Sequence, residues 1–303
     1  GVSMAQTTKQ TQLMPPPPMP HINRRWRRTS FSGLTENAVH YDKVQPPEKV
    51  TPKTKVVLAD FPRGPEPGSL VHEVFEEMDF CDGDSAHLKA IIESKLGLWG
   101  VDTCWADTLV EAMQDLMGVA LPTSGEPMAL GQLTRSDRID EMNFTLPVGR
   151  GPQALTMHGL ADVLRAHGHV PDGYPEQVRA IETDGARGYL TGFLDLVFRW
   201  KGRWYIVDYK TNHLGDTRED YGQSAIIHSM AEHHYYLQYH FYTVALHRYL
   251  TQKLREYDYE RCFGGVMYLY VRGMGSGDSG VYFDRPCLEM VEALSALLDG
   301  GAG

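Results

Sequence analysis

The sequence predicts an α/β fold with a central mixed β-sheet flanked by helices. Three observations lead there. Apolar residues switch along the chain between helical spacing and continuous strand-like runs. The stretch "GFLDLVFRWKGRWYIVDYKTN", Gly192 to Asn212, sets two runs of β-branched and aromatic residues on either side of a short "RWKGR" turn, a hairpin signal. The elements follow one another as helix, strand, helix, hairpin, helix, strand, helix, an order that wraps a sheet in helical layers.

Residues 1–60 hold eight of the 18 prolines, including the run Pro15 to Pro18, and little periodic pattern. Residues 1–25 read as a proline-rich disordered tail and 26–60 as a linker and lead-in. Here "NRRWRR" gathers Arg24, Arg25, Arg27 and Arg28 around Trp26, which fits either a solvated basic linker or a phosphate-contacting arm. "TSFSGL" (29–34) carries serines suited to capping a helix. The domain proper is expected over 61–300. Its first helix lies in "PGSLVHEVFEEMDF", where Leu70, Val71, Val74, Phe75 and Met78 share helical spacing and Ser69 is a candidate N-cap. Two further helices are expected between Ser85 and Met117, ending near Gly118. "IDEMNFTLPV" (139–148) reads as a strand, and a helix follows near Gln153 to Ala166. After the hairpin, "AEHHYYLQYHFYTVALHRYLTQKL" (231–254) reads as one long aromatic helix. "FGGVMYLYVRG" (263–273) reads as a buried strand, and "RPCLEMVEALSALL" as the closing helix.

Bulk properties exclude several classes. In 303 residues, 42% hydrophobic and 22% charged content is ordinary for a soluble domain. No apolar run nears the roughly 20 residues of a membrane span, and the N-terminus lacks a secretory signal's design. Cys81, Cys104, Cys262 and Cys287 form no C-x-x-C pair, which argues against a zinc ribbon or a locally built iron–sulfur site and suits a reduced compartment. No G-x-x-x-x-G-K-[ST] loop occurs, so the chain carries no P-loop motor. The net charge of −10 disfavours broad contact with phosphates, although the distribution of charge matters more than its sum.

The hairpin poses the chemical question. Each run carries an aspartate, Asp195 and Asp208, where the pattern calls for an apolar residue. Side chains at i and i+2 share a strand face, so Asp208 and Lys210 project together with Trp204 and Ile206, while Tyr205, Val207 and Tyr209 face the other way. Pairing across the turn can bring Asp195 close to Asp208. Two carboxylates about 4 Å apart repel by roughly 4 kcal/mol at an effective dielectric near 20, besides their desolvation cost. A lysine supplies a single charge, whereas an oxygen-ligated divalent cation removes the repulsion. An isolated D-x-K reads as a buried Asp–Lys salt bridge; the strand context, the second acid and the apolar flanks favour a metal site.

These residues, D…D-x-K across a hairpin, resemble the PD-(D/E)xK core of restriction-endonuclease-like nucleases. "FPRGPEPGSLVHEVFE", "GFLDLVFRWKGRWYIVDYKTNHLG", "YYLQYHFYTVALHRYL", "YDYERCFGGVMYLYVRG" and "VYFDRP" together look like the C-terminal nuclease domain of RecB, the subunit of exodeoxyribonuclease V (RecBCD). The likeness runs from about Trp26 to near the C-terminus. It implies that His72, Asp195 and Asp208 hold Mg2+ with the backbone carbonyl of Tyr209, and that Asp195, Asp208 and Lys210 are catalytic. It further implies supporting roles for Glu141 and for Gln238 and Tyr242, a Q-x-x-x-Y pair on one helix face. Taken alone, His72 reads as a packed helix residue, Glu141 as a strand-edge charge, and Gln238 and Tyr242 as core. His233, His234 and His240 read as packing, since their spacing joins no ligands on one face.

The resemblance also implies DNA cleavage at single-stranded ends made by a helicase, in double-strand break repair by homologous recombination. Implied partners are the RecC and RecD subunits and RecA, in the bacterial cytoplasm, with no membrane. Without a helicase motor, the chain reads as a portion of a longer subunit or a stand-alone relative. Two alternatives are a DNA- or RecA-binding scaffold that does not cut, and a stand-alone restriction-type endonuclease.

Overall fold

A computed structural model describes residues 27–35, 54–151, 154–168, 170–183, 185–275 and 277–301. The proline-rich tail, Arg24, Arg25, Trp26 and Gln153 lie outside the described residues. One six-stranded mixed sheet organises the rest. Its strands are β1 (Arg27–Ser30), β2 (Arg138–Val148), β3 (Gly188–Trp200), β4 (Arg203–Lys210), β5 (Phe263–Tyr270) and β6 (Val281–Asp284). β3 is the hub. It pairs antiparallel with β2 along most of its length, with β4 over residues 196–200, and parallel with β1 over residues 188–191. β4 runs parallel to β5, and β5 antiparallel to β6.

Ten helices belong to the described residues. On one face of the sheet lie α2 (Pro65–Glu77), α3 (Ser85–Trp99) and α4 (Ala106–Met117), packed on Leu196, Phe198, Tyr205, Val207, Tyr209, Met267 and Leu269. The opposite face carries α5 (Met157–His167), α6 (Tyr174–Arg179), α7 (Gln223–Glu232), α8 (Tyr235–Lys253) and α10 (Leu288–Leu298), on Phe144, Leu190, Leu194, Val197, Ile206, Val266 and Tyr268. Two short helices remain, α1 (Phe31–Thr35) directly after β1 and α9 (Tyr259–Cys262) directly before β5. The alternation in β4 is as the spacing predicts, with Ile206 in one layer and Tyr205, Val207 and Tyr209 in the other.

Several expectations change. The segment read as a linker supplies β1 and α1, and Val56, Leu58 and Ala59 are buried, so the folded unit starts well before residue 61. The first domain helix begins at Pro65 behind Gly64 rather than at Ser69, because proline at the first turn gives up an N–H that has no helical partner. The long aromatic helix is two. α7 stops at Glu232 and His234 takes a left-handed φ of 54°. Tyr174 explains the break: its hydroxyl accepts the Leu237 N–H at 3.3 Å, an orphan donor of the new N-terminus, and meets His234 Nδ1 at 3.3 Å. His233 stacks on Tyr235, and His240 Nδ1 meets the Tyr236 carbonyl at 2.6 Å.

Candidate active site

The site forms where the sheet forks. The β3–β4 ladder ends at the Leu196–Val207 pair, and β1 takes the same side of β3 only from Thr191 back. Between these two partners, residues 192–195 have no backbone ladder on that side, and Asp195 fills the gap with its side chain. Its Oδ2 accepts the Tyr209 N–H at 2.8 Å. The residues flanking it, Leu194 and Leu196, belong to opposite core layers, so the strand alternation breaks at Asp195. The neighbouring strand bends at the same level, where Glu141 adopts a φ of 47°. A kink on two adjacent strands aims side chains along the sheet rather than into either layer.

α2 delivers the imidazole. His72 Nδ1 lies 3.4 Å from Asp195 Oδ2. Burial alone would lower the His72 pKa, but the hydrogen bond and charge of Asp195, backed by Asp208, raise it above the ordinary histidine value. Burial pushes Asp195 the other way, and its contact with His72 outweighs this and lowers its pKa. The helix is held in place at its C-terminal end. Arg135 Nη1 donates to the Glu76 carbonyl at 2.9 Å and Nη2 to the Glu77 carbonyl at 2.5 Å. The buried Arg138 donates to the Met78 carbonyl at 2.6 Å, with its guanidinium 3.4 Å from the centre of the Phe80 ring.

Behind Asp195, Asp208 is 2% exposed and its Oδ2 sits 2.5 Å from Lys210 Nζ. Burial raises the Asp208 pKa to about 6, helped by the neighbouring Asp195 charge and opposed by Lys210. Lys210 is buried too, but Asp208, Tyr235 and Asp195 keep its pKa raised, so it stays protonated. Its ammonium donates to Gln238 Oε1 at 3.2 Å and stands 3.9 Å from the centre of the Tyr235 ring. Gln238 also accepts from the Tyr268 hydroxyl at 2.9 Å and donates to the Tyr242 hydroxyl at 2.9 Å. Lys210 thus rests on Gln238, whose amide Tyr268 and Tyr242 hold in turn. The Tyr209 side chain points away, stacked on Phe75 at 3.9 Å, leaving its peptide between Asp208 and Lys210.

Glu141 stands at the mouth of the site beside a residue that the spacing analysis passed over, Glu76. Burial, and a hydrogen bond with Glu141, push the Glu76 pKa up to about 7. His72, Phe75, Glu76, Glu141, Asp195 and Tyr209 line one small cleft. Glu76 had a signal: it lies four residues after His72, on the same helix face.

A neutral imidazole, two carboxylates and a peptide carbonyl make an oxygen-rich donor set suited to a hard divalent cation. In this arrangement, no three acidic, imidazole or thiol groups among the described residues gather around one point. His72 turns to Asp195, and Asp208 to Lys210. The residue types and their closeness fit a cation, and the lysine leaves Asp208 incompletely compensated, since burial still dominates its pKa.

The fold is that of an α/β nuclease core, and the chain belongs to the PD-(D/E)XK nuclease superfamily, whose pattern matches residues 55–282. Among curated proteins, it is 34% identical over 286 residues to the RecBCD enzyme subunit RecB of Escherichia coli K12, covering 91% of this chain and 23% of that protein. The RecB subunit of Haemophilus influenzae is 33% identical, covering 91% of this chain and 24% of that protein. That of Mycobacterium tuberculosis H37Rv is 33% identical, covering 96% and 31%. The chain thus spans about a quarter to a third of the relatives it matches.

Proposed function

We propose that the chain is the nuclease unit of a RecBCD-type enzyme, hydrolysing phosphodiester bonds at single-stranded DNA ends with Mg2+. The observation that carries this reading is the fork: where β3 and β4 part, Asp195 accepts the Tyr209 N–H and contacts His72, and the adjoining Asp208 contacts Lys210. His72, Asp195, Asp208 and the Tyr209 carbonyl would hold the cation. When bound, Mg2+ polarises the scissile phosphate and acidifies a water.

The chain's own residues do the rest. Protonated Lys210, fixed by Asp208 and Gln238, offers positive charge to the phosphate as it gains negative charge in the transition state. Tyr235 and Tyr268 exclude water around the ammonium and so strengthen its field. Glu76, with its raised affinity for a proton and Glu141 beside it, is positioned to give or take one at the mouth of the site.

That the relatives are subunits of a RecBCD enzyme supports RecC and RecD as partners, and the nuclease family supports DNA. RecA as a further partner and a cytoplasmic setting in a bacterium follow the same reading; no described helix is long and apolar enough to cross a membrane. The test is cleavage of 5′-labelled linear single-stranded DNA and of closed circular DNA. Cutting of the linear strand with Mg2+, none with chelator, and none by Asp208→Ala is expected. Chelator-resistant cutting would refute the reading, and preference for closed circles would indicate an endonuclease.

A further inference from the structure

The upper half of the sheet is open on the side that α2, α3 and α4 cover further down. Phe144, Leu146 and Val148 on β2 and Leu190 and Leu194 on β3 face the α8 layer, so their odd-numbered neighbours face the other way. Those neighbours are exposed or half-buried. Phe193 is 51% exposed and Tyr189 40%, unusual values for large rings in a central strand. Across the ladders, Phe193 pairs with Asn143, Thr191 with Thr145, and Tyr189 with Arg28. Arg28 is exposed, donates from Nε to Thr191 Oγ1 at 3.4 Å, and forms no ion pair among the described residues.

We propose that this open face is a stacking platform that leads single-stranded DNA to Asp195: Phe193 and Tyr189 take bases, and Arg28 takes a phosphate. The proposal rests on the nuclease reading of the site. Three features select the occupant. The face is continuous with the site, because Phe193 stands two residues before Asp195 on the same strand. The two rings lie four residues apart on one face, about 13 Å, far enough to seat two separate bases rather than make one apolar contact. Between them stand Thr191, Thr145 and Asn143, with a cation at the edge. Interleaved rings, small polar groups and positive charge are the composition of a single-strand groove, whereas the centre of a protein interface is predominantly apolar. The chain is acidic overall, so an exposed arginine on this face, without an ion pair among the described residues, is a local complement to phosphate. It also gives the "NRRWRR" segment a role, since β1 carries its last two residues into the sheet.

The test is fluorescence anisotropy of a labelled oligothymidylate bound to the full chain, with chelator present to stop cutting. Phe193→Ala and Tyr189→Ala should each weaken binding about fivefold or more, as loss of a stacked base does. Phe193→Leu, which keeps apolar bulk without a ring, should weaken it similarly, and Phe193→Tyr should restore it. Arg28→Gln should lower the slope of log affinity against log salt by about one. Ultraviolet crosslinks from 5-iododeoxyuridine should map to Phe193 or Tyr189. Unchanged affinity in the Tyr189→Ala/Phe193→Ala double variant would overturn the proposal and leave the face to a protein partner. Failure of the nuclease reading would show separately, as Mg2+-dependent cutting that survives Asp208→Ala while the platform variants still lose binding.

Discussion

His72 contacts Asp195 and Lys210 contacts Asp208, and each pair feels the charge of the other. Lys210→Gln keeps length and hydrogen-bonding capacity but removes the charge beside Asp208. Turnover should fall by about 100-fold or more, with cation affinity retained. Calorimetry alongside single-turnover cleavage checks this, and unchanged turnover with lost cation binding would reverse the assigned roles. The proton balance adds a second prediction. A cation needs His72 neutral and Asp208 ionised, and both groups hold their protons more tightly than usual, Asp208 to about 6. Cation affinity should therefore rise at least about tenfold from about pH 5.5 to about pH 7.5. A flat profile would show that neither group is a ligand. For folding, the Asp208 term has its own sign. A carboxyl with a folded pKa above its ordinary 3.8 stabilises the metal-free fold while protonated, and that contribution is lost as pH rises through about 6.

At the scale of elements, buried arginines fasten the pieces that carry the site. Arg272 is 4% exposed and donates to the carbonyls of Thr211, Leu58, Phe61 and Pro62, tying the strand after the site to the segment before α2. Arg272→Met should cost about 3–5 kcal/mol by leaving several buried carbonyls unsatisfied. Chemical denaturation measures this, and a loss within about 0.5 kcal/mol would show that the carbonyls find other donors. The element types were legible because their periods are strong: the hairpin, the strand 139–148, the α3–α4 region and the closing helix all stand where spacing puts them. What was hidden depends on distant partners. Nothing local in "AEHHYYLQ" signals a break, since Tyr174 on another helix makes it. β1 is four residues that become a strand only by lying against β3, and β6 pairs only with β5. In the site, Asp195, Asp208 and Lys210 were legible from their own strands. His72 needed a family likeness, and Glu76 is a surface-type residue until Glu141 meets it.

The whole molecule is two helical layers on one sheet, with the site at the border where one layer stops and the sheet lies open. That border explains how a chain of net charge −10 can meet a polyanion: acids cluster where a cation would neutralise them, and the open strands beside them carry rings, hydroxyls and an arginine. The covalent span matters as well, because this chain matches only 19–31% of the length of its RecB relatives. If the nuclease unit is autonomous, the isolated chain should degrade linear single strands with Mg2+ at a measurable rate, and a RecC-type partner should raise that rate without changing its dependence on Asp208. The central claim is that an imidazole and two acids from three elements take one divalent cation between them. Mn2+ binding followed by electron paramagnetic resonance tests this most directly. The wild-type chain should bind a single ion, and His72→Ala, Asp195→Ala and Asp208→Ala should each weaken it about tenfold or more. Wild-type affinity in all three variants would contradict the account.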